Sequence, residues 1–241
     1  DIKALAADMG IPFTELKTTV AQLHEVNPMM GMRGCRLPIM YPEIGEMQTQ
    51  AIIEAAINVI KETGQDVVPE IMVPLVGSGG EIRYLKKLIN TVADEIISKS
   101  GVKLHYLVGT MIELPRAAVS ADRIAQEAEF FSFGTNDLTQ MSYGLSRDDA
   151  GKFLPTYLDK KIFESDPFER FDVLGTGRLV EYAVKLGHQT RQPHGCVRGA
   201  RRRSCLHRVF PPGRAGLCVL LSLPGAHCPV GGGACPAEIP P

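Results

Sequence analysis

Hydrophobic residues recur every three or four positions in two long segments of the chain, and this spacing predicts amphipathic helices. The first helix is predicted over residues 47–62 and the second over residues 82–96. The apolar positions that carry the pattern are Met47, Ile52, Ala55, Ala56, Val59 and Ile60, then Ile82, Leu85, Leu88, Ile89, Val92 and Ile96. Each helix presents one apolar face, so both are expected to pack against a common core.

Short apolar runs lie between these segments and beyond them, and their length predicts strands. Strands are expected at residues 67–76, interrupted by Glu70, at residues 104–112 and at residues 129–133. Residues 134–136 (Gly-Thr-Asn) follow the third run and are of the kind that forms turns.

Two more helices are predicted from their end signals. Pro115 stands where it can open a helix, because the first helical position needs no backbone N–H. A last helix is expected over residues 179–186, ended by Gly187.

Strands that alternate with long amphipathic helices are typical of a parallel sheet, because each parallel connection needs a crossover. No G-x-G-x-x-G segment of the dinucleotide-binding type follows a predicted strand. We therefore expect an α/β protein built as a (β/α)8 TIM-type barrel, with an open doubly wound sheet as the alternative.

The overall composition is that of an ordinary globular protein. Of the 241 residues, 44% are hydrophobic and 22% are charged, and the net charge is -1. This charge gives no reason to expect nucleic acid or a membrane as a partner. The first residues form no signal peptide and lack an initiator methionine, so we expect a fragment of a longer protein that is not secreted.

Residues 192–241 differ in composition from the rest of the chain. They hold six Arg and no Lys, one acidic residue, eight Gly, eight Pro and five of the six Cys. They contain no C-x-x-C pair, which disfavours a zinc or disulfide module. A disordered tail would fit this composition, as would a basic patch at residues 201–203 that binds an acidic partner.

Two carboxylates follow predicted strands, where the reactive groups of a parallel barrel lie. Glu113 ends the segment LVGTMIE and Asp137 ends the segment FFSFGTND. Carboxylates at adjacent strand ends can share one Mg²⁺, which prefers oxygen ligands. The alternative is that each carboxylate caps the helix that follows it.

Two arginines are candidates for holding a phosphate, because a guanidinium fork suits bidentate recognition of an anion. Arg33 lies in the glycine-flanked segment GMRGCR, and Arg147 lies in LSRDD. Arg36 and Arg116 are weaker candidates, since either residue would serve equally well in a structural ion pair.

Three uncharged residues lie beside the third strand end. Asn136 is a candidate donor to an anionic substrate, or it accepts the unusual backbone of a turn. Ser132 and Thr135 flank the same strand end and are weaker candidates for substrate contacts.

Five segments, in this order, closely resemble the C-terminal domain of the pyruvate phosphate dikinases, which binds phosphoenolpyruvate and pyruvate. The segments are NPMMGMRGCRL (27–37), YPEI…MQTQAI (41–52), VPEIMVPLV (68–76), GTMIELPRAA (109–118) and FFSFGTNDLTQMSYGLSRDDAGKF (130–153). Phosphoenolpyruvate synthase and enzyme I of the sugar phosphotransferase system share NP-x-x-G-x-R and GTNDLTQ. The RGCRL, MQT and SRDD segments favour the dikinase over these alternatives.

The resemblance implies a (β/α)8 barrel and a role for each candidate residue. The implied Mg²⁺ ligands, which would also contact substrate, are Glu113 and Asp137. The residues implied to hold the phosphoryl group are Arg33 and Arg147. The further implied substrate contacts are Asn136, Thr135 and Ser132.

The resemblance also implies an activity and partners. The family moves a phosphoryl group between a phosphohistidine on another domain and the enolate oxygen of pyruvate, within the conversion of ATP, pyruvate and phosphate to AMP, phosphoenolpyruvate and diphosphate. The implied partners are pyruvate, phosphoenolpyruvate, the phosphohistidine domain and a second copy in a homodimer. The implied compartment is the cytoplasm or an organelle such as a plastid or glycosome.

The family's general acid is a cysteine in a segment like G-[IV]-C-G-E-H-G-G-D-P, which does not occur in this chain. The segment is expected near Gly195, where HGCVRGARRRSCLH stands instead. When each codon of the tail is shifted by one base, residues 195–200 permit G-V-C-G-E-H, with the cysteine encoded beneath Val197. We therefore predict no catalytic residue in frame, and Cys196 does not take over the role.

Two parts of the chain are therefore expected. Residues 1–191 would form a partial phosphoenolpyruvate/pyruvate-binding barrel, incomplete at both ends, and residues 192–241 an out-of-frame tail without a native-like fold. Missing strands leave sheet edges unpaired. We expect the 241-residue chain to be marginally folded and to have no turnover by itself.

Overall fold

A computed structural model describes residues 2–25 and 27–190, which form helices around a small parallel sheet. The helices are α1 (Ile2–Met9), α2 (Phe13–Gln22), the 3-10 turn Pro28–Met30, α3 (Arg36–Met40), α4 (Pro42–Thr63), α5 (Gly79–Ser100), α6 (Pro115–Val119), α7 (Ala121–Ala125), α8 (Thr135–Tyr143), α9 (Arg147–Ala150), α10 (Leu154–Asp159) and α11 (Thr176–Thr190). The strands are β1 (Glu70–Val73), β2 (Leu107–Ile112) and β3 (Phe131–Phe133).

The three strands pair in parallel in the order β1-β2-β3. The register aligns Val73 with Thr110, and Thr110 with Phe131. Helix α5 connects β1 to β2, and α6 with α7 connects β2 to β3. The predicted α/β class and parallel sheet are confirmed, whereas closure of the sheet into a barrel stays a prediction.

The main core lies between the sheet and the longer helices. Helix α4 packs on α5, and α11 packs on α6 and α7. The fully buried members of this core include Ile53, Leu75, Val76, Ile82, Leu85, Val108, Ile112, Ile124, Phe133, Leu138 and Val180.

In α5 the predicted apolar stripe faces the interior, with Ile82, Leu85 and Ile89 buried. In α4 the predicted face was wrong: Met47, Ile52, Ala55 and Val59 are exposed, and the buried face carries Thr49, Ile53, Ala56 and Ile57. Apolar residues lie on more than one face of α4, so periodicity alone did not select the buried one.

The two long helices are confirmed, and both extend beyond the predicted segments. Helix α4 begins with Pro42 in its first turn and ends at Thr63, and the next residue, Gly64, caps it with a φ of 68° that suits glycine. Helix α5 begins at a capping box in which Ser78 and Glu81 each accept from the backbone of the other. None of the described helices is both long enough and apolar enough to cross a membrane.

Several boundaries differ from those expected. Strands β2 and β3 begin at Leu107 and Phe131, later than the predicted residues 104 and 129, and α11 begins at Thr176, earlier than the predicted residue 179. The first strand is shorter than residues 67–76, because Pro69 and Pro74 flank it and cannot donate to a ladder. Thr135 and Asn136 are the first two residues of helix α8 and do not form a separate turn before it. Gly187 does not end the last helix, which continues to residue 190.

Gly187 lies inside α11 because the helix approaches the sheet closely there. A Cβ at this position would lie 3.1 Å from the ring of Phe131. The glycine therefore permits close packing of a helix on a strand, and that use is not distinguishable from a helix end in the sequence alone.

The Asp172 carboxylate organises the start of α11. Its Oδ2 accepts from the Thr176 N–H at 2.9 Å, and its Oδ1 accepts from the N–H groups of Gly175 and Leu174 at 3.0 and 3.1 Å. Burial opposes ionisation, but these donors and the Tyr143 hydroxyl together hold the pKa of Asp172 below its usual value.

We expect Asp172→Ala to lower the free energy of unfolding by about 1 kcal/mol, the usual loss for a helix cap. Because the folded pKa lies below the unfolded one, the carboxylate stabilises the fold above about pH 4, the unfolded value, and this contribution is lost as the pH falls through the folded pKa. Urea unfolding at neutral and acidic pH measures both effects. Asp159→Ala, at an exposed end of α10, is the control, and an equal loss in both variants would contradict the capping role.

Candidate functional site

Two buried carboxylates meet where adjacent strands end. Glu113 directly follows β2, and Asp137 lies in the first turn of α8, which follows β3. Their exposed fractions are 4% and 9%. Neighbouring parallel strands end at the same edge of the sheet, and this edge brings together two residues that are 24 positions apart in the sequence.

Glu113 is held by the backbone of the loop after β1. Its Oε1 accepts from the Leu75 N–H at 2.7 Å. Leu75 has a φ of 56°, a left-handed conformation that is unfavourable for a residue with a side chain. Strained backbone of this kind is concentrated at functional sites, where the surrounding structure holds it in place.

Cys35 also holds this loop in place. Its N–H donates to the Pro74 carbonyl at 2.9 Å, and its thiol donates to the Leu75 carbonyl at 3.2 Å. Burial raises the pKa of this thiol to about 11, so it stays protonated at neutral pH. Cys35 is therefore a structural donor and not a reactive thiolate.

Burial raises the pKa of Glu113 to about 7. The Leu75 N–H and, more weakly, Arg33 oppose this shift, whereas the charge and hydrogen bonding of the neighbouring Asp137 increase it. Two carboxylates this close repel each other when both are ionised. A cation between the two carboxylates would offset both the free-energy cost of burying their charges and their mutual repulsion.

Gly134 makes room for the Glu113 carboxylate. A Cβ at this position would lie 2.3 Å from Glu113 Oε2 and 2.7 Å from Met111 Sδ. The side chain of any other residue would overlap the carboxylate, so the GTND segment requires a glycine at this position for steric reasons.

Arg33 and Asp137 form an ion pair beside Glu113. Arg33 Nη2 lies 2.8 Å from Asp137 Oδ2, and Arg33 Nη1 donates to the Met29 carbonyl at 3.1 Å. The arginine comes from the segment between the 3-10 turn and α3, so the pair joins two distant parts of the chain. The structure thus brings together three of the predicted site residues, Arg33, Glu113 and Asp137.

Arg147 lies at the start of α9 and is held at both ends. Its backbone N–H donates to Gln140 Oε1 at 2.8 Å. Its guanidinium donates to the Phe168 carbonyl at 3.3 Å and lies 5.4 Å from the centre of the Phe168 ring. The guanidinium is therefore stacked on the segment that precedes α11, and not paired with Asp137.

The three uncharged candidates lie around the end of β3. Asn136 has a buried Oδ1 with no hydrogen-bond partner, and with Thr135 and Phe168 it lines a small cavity. Thr135 is buried at the first position of α8, and Ser132 is buried in β3 opposite Met111. Asn136 has helical backbone, so the turn alternative does not apply to it.

The weaker arginine candidates donate to backbone carbonyls. Arg36 donates to the carbonyls of Met30 and Gly31, and Arg116 donates to the carbonyl of Gly77. Both side chains hold loops in place, which agrees with a structural role more than with phosphate binding.

The donor set fits a hard divalent cation that shares its coordination with a substrate. The described residues contain no cluster of three or more His, Cys, Asp or Glu side chains suited to a metal. Mg²⁺ usually takes only one or two carboxylates and completes its shell with water and substrate oxygens. Glu113 and Asp137, with the unpaired Asn136 Oδ1 close by in the chain, match that requirement.

Sequence patterns missed three residues at this site. Leu75 acts through its left-handed backbone, Gln140 through its side-chain amide, and Phe168 through its contact with the Arg147 guanidinium. None of these features follows from a periodic pattern in the sequence. Leu75 and Gln140 were signalled only by their positions within the VPLV and GTNDLTQ segments, and Phe168 had no such signal. The predictions for Val197, for Cys196 and for the basic run 201–203 lie outside the described residues.

Comparison with known proteins places the chain in a family. Residues 6–196 match the model of the PEP-binding domain of PEP-utilising enzymes. The chain is 59% identical over 192 residues to the pyruvate, phosphate dikinase of Clostridium symbiosum, which covers 80% of this chain and 22% of that protein.

Two further relatives bear the same name. The Rhizobium meliloti (strain 1021) protein is 55% identical over 191 residues, covering 79% of this chain and 21% of that protein. The chloroplastic Mesembryanthemum crystallinum protein is 53% identical over 190 residues, covering 79% of this chain and 20% of that protein. The chain therefore spans about a fifth of the length of the curated relatives it matches.

Proposed function

The chain belongs to the PEP-utilising enzymes and carries their PEP-binding domain, and we propose that it provides the phosphoenolpyruvate- and pyruvate-binding half-site of a pyruvate, phosphate dikinase. In this role it takes part in phosphoryl transfer between a phosphohistidine and the enolate oxygen of pyruvate. The ATP-dependent half of the reaction belongs to other parts of the longer protein.

One observation carries the proposal: two buried carboxylates and an arginine converge at the carboxyl edge of a parallel sheet. Glu113 and Asp137 supply oxygens for a cation, and Arg33 lies 2.8 Å from Asp137. Reactive groups of parallel α/β proteins lie at this edge. A phosphorylated three-carbon acid carries negative charges on its phosphoryl group and its carboxylate, and a bound cation together with Arg33 would attract them.

Each residue has a role in the proposed site. Glu113 and Asp137 hold Mg²⁺, which would supply positive charge to the enolate oxygen and the migrating phosphoryl group. Arg33 and Arg147 bind phosphoryl oxygens through their guanidinium forks. The residues that orient the substrate are Asn136, Thr135 and Ser132.

We also propose that the described sheet is part of a (β/α)8 barrel. In β1, Ile71 and Val73 are buried in the main core, whereas Glu70 and Met72 on the opposite face are exposed within the described part of the chain. Further strands would cover this second face in a barrel. The consecutive strand order β1-β2-β3 supports the same architecture.

The proposed division of the chain is a barrel segment in residues 1–191 and an unrelated tail in residues 192–241. The family match that ends at residue 196 supports this division. The proposed partners are the phosphohistidine domain and a second copy of the chain. With no family cysteine in frame at Val197, the chain is proposed to bind its ligands without turnover.

The proposal is tested by measuring phosphoenolpyruvate and pyruvate binding to the full chain by calorimetry, with and without Mg²⁺. We expect phosphoenolpyruvate to bind more tightly with Mg²⁺, and Arg147→Met to weaken its binding by about tenfold, as expected for a lost charge-assisted phosphate contact. The affinity for pyruvate, which lacks the phosphoryl group, should change much less in the same variant.

Arg83→Met is the matched control, because Arg83 is an exposed arginine that pairs with Glu127 away from the site. This control should leave both affinities unchanged. Binding of phosphoenolpyruvate that is independent of Mg²⁺ and unaffected by Arg147→Met would contradict the proposed function.

A further inference from the structure

Gln140 lies in α8 between the carboxylate end of the site and the arginine end. It is 7% exposed. Its backbone carbonyl accepts from the N–H groups of Gly144 and Leu145, which end the helix. Gly144 has a φ of 65°, so the chain reverses direction there and leads directly to Arg147.

The side chain of Gln140 joins the two ends of the site. Its Oε1 accepts from the Arg147 backbone N–H at 2.8 Å, and its Nε2 lies 3.5 Å from Asp137 Oδ1. The Arg147 N–H can only donate and an ionised carboxylate can only accept, so both neighbours require the same orientation of the amide. The strong bond is the one to Arg147, and the contact with Asp137 is long.

Arg147 is restrained from the other side by the segment before α11. The Phe168 carbonyl accepts from its guanidinium at 3.3 Å, and the Phe168 ring packs against the same group. Phe168 itself is buried with Ala150 and Leu154 in a second apolar cluster. The backbone and the guanidinium of Arg147 are therefore held by different elements.

We propose that Gln140 is a positioning residue that sets the location of Arg147 relative to Asp137, an inference that rests on the proposed function. A ligand that contacts both residues then finds them at a preset separation. Such preorganisation lowers the cost of binding, because the loop that carries Arg147 need not be ordered by the ligand. The effect should be larger for the ligand that carries a phosphoryl group, because the short hydrogen bond of Gln140 goes to Arg147 and its contact with Asp137 is long.

The test compares the dissociation constants of phosphoenolpyruvate and pyruvate for Gln140→Met in the full chain with Mg²⁺ present. Methionine has a similar length but cannot accept from the Arg147 N–H. We expect phosphoenolpyruvate to bind about five- to tenfold more weakly, the effect of losing one hydrogen bond that orders a binding residue. The dissociation constant of pyruvate should change by less than about twofold. A merely structural role of Gln140 would weaken the binding of both ligands equally.

Gln126→Met, at an exposed position after α7, is the matched control and should leave both constants unchanged. If Gln140→Met does not fold, Gln140→Asn is measured in its place, because its amide is one methylene too short to reach Arg147. Equal changes in the two dissociation constants, or no change in either of them, would overturn the inference.

A double variant separates this inference from the proposed function. If Gln140 acts through Arg147, Gln140→Met in an Arg147→Met background should weaken phosphoenolpyruvate binding no further, and an additional loss would overturn the inference. If Arg147→Met alone has no effect, the proposed role of Arg147 fails. If Arg147→Met has its effect and Gln140→Met has none, only the positioning role fails.

Discussion

Glu113→Gln is expected to abolish the Mg²⁺ dependence of phosphoenolpyruvate binding and, at the same time, to stabilise the metal-free chain at about pH 8. Burial raises the pKa of Glu113 to about 7, with a further contribution from Asp137. The ionised carboxylate is therefore unfavourable in the folded protein unless a cation is bound. Glutamine keeps an oxygen for the Leu75 N–H and removes the charge.

The sign of the pH dependence follows from the raised pKa. An unfolded glutamate titrates near pH 4.3, so the folded state binds the proton more tightly, and this stabilisation is complete below about pH 4 and lost as the pH rises through about 7. Above that range the wild-type chain should be less stable than Glu113→Gln by on the order of 1–3 kcal/mol. At about pH 3, where Glu113 is protonated in both the folded and the unfolded state, the difference should disappear.

Urea unfolding with and without Mg²⁺ measures both consequences. Added Mg²⁺ should stabilise the wild-type chain and not the variant, because binding to the folded state alone raises stability. Glu62→Gln, at an exposed position in α4, is the matched control and should follow the wild type. A Glu113→Gln chain that is less stable than wild type at high pH would refute the assignment.

Gly134→Ala is expected to lose stability and cation binding together. The added Cβ would lie 2.3 Å from Glu113 Oε2 and 2.8 Å from Glu113 Cβ, well inside contact distance. Either the carboxylate or the start of α8 has to move, and overpacking of this kind typically costs about 1–3 kcal/mol. Movement of either group also separates Glu113 from Asp137.

Gly151→Ala is the matched control for this variant. Gly151 has ordinary right-handed backbone, with a φ of -56°, and a Cβ would meet no atom within 4 Å. Alanine at this position should be neutral or stabilising by about 0.5 kcal/mol, because it restricts the unfolded chain. Thermal unfolding and Mg²⁺ titration of the two variants give the comparison, and similar behaviour in both would mean that the Glu113 carboxylate can move aside freely.

Periodicity and residue type were sufficient to predict the long elements. Apolar residues at helical spacing predicted both α4 and α5, and in α5 the predicted positions such as Ile82 are buried. In α4 the spacing predicted the helix but not its buried face, because Ile52 and Val59 are exposed and Ile53 is buried instead. The short runs predicted the parallel strands, and the motifs predicted that Glu113 and Asp137 follow adjacent strands. These features depend on local preference and on burial, which a linear sequence records directly.

The distances within the site depended on the packing of segments that are far apart in the chain. The 2.8 Å pair between Arg33 and Asp137 spans 104 positions, and the left-handed backbone of Leu75 is maintained by Cys35 and by the Glu113 carboxylate. Likewise, nothing in the sequence pattern indicated that Gly187 lies inside a helix, because the close approach of α11 to Phe131 exists only in the folded protein. Sequence patterns predict which residues can react, whereas tertiary packing sets their separation, their burial and hence their pKa values.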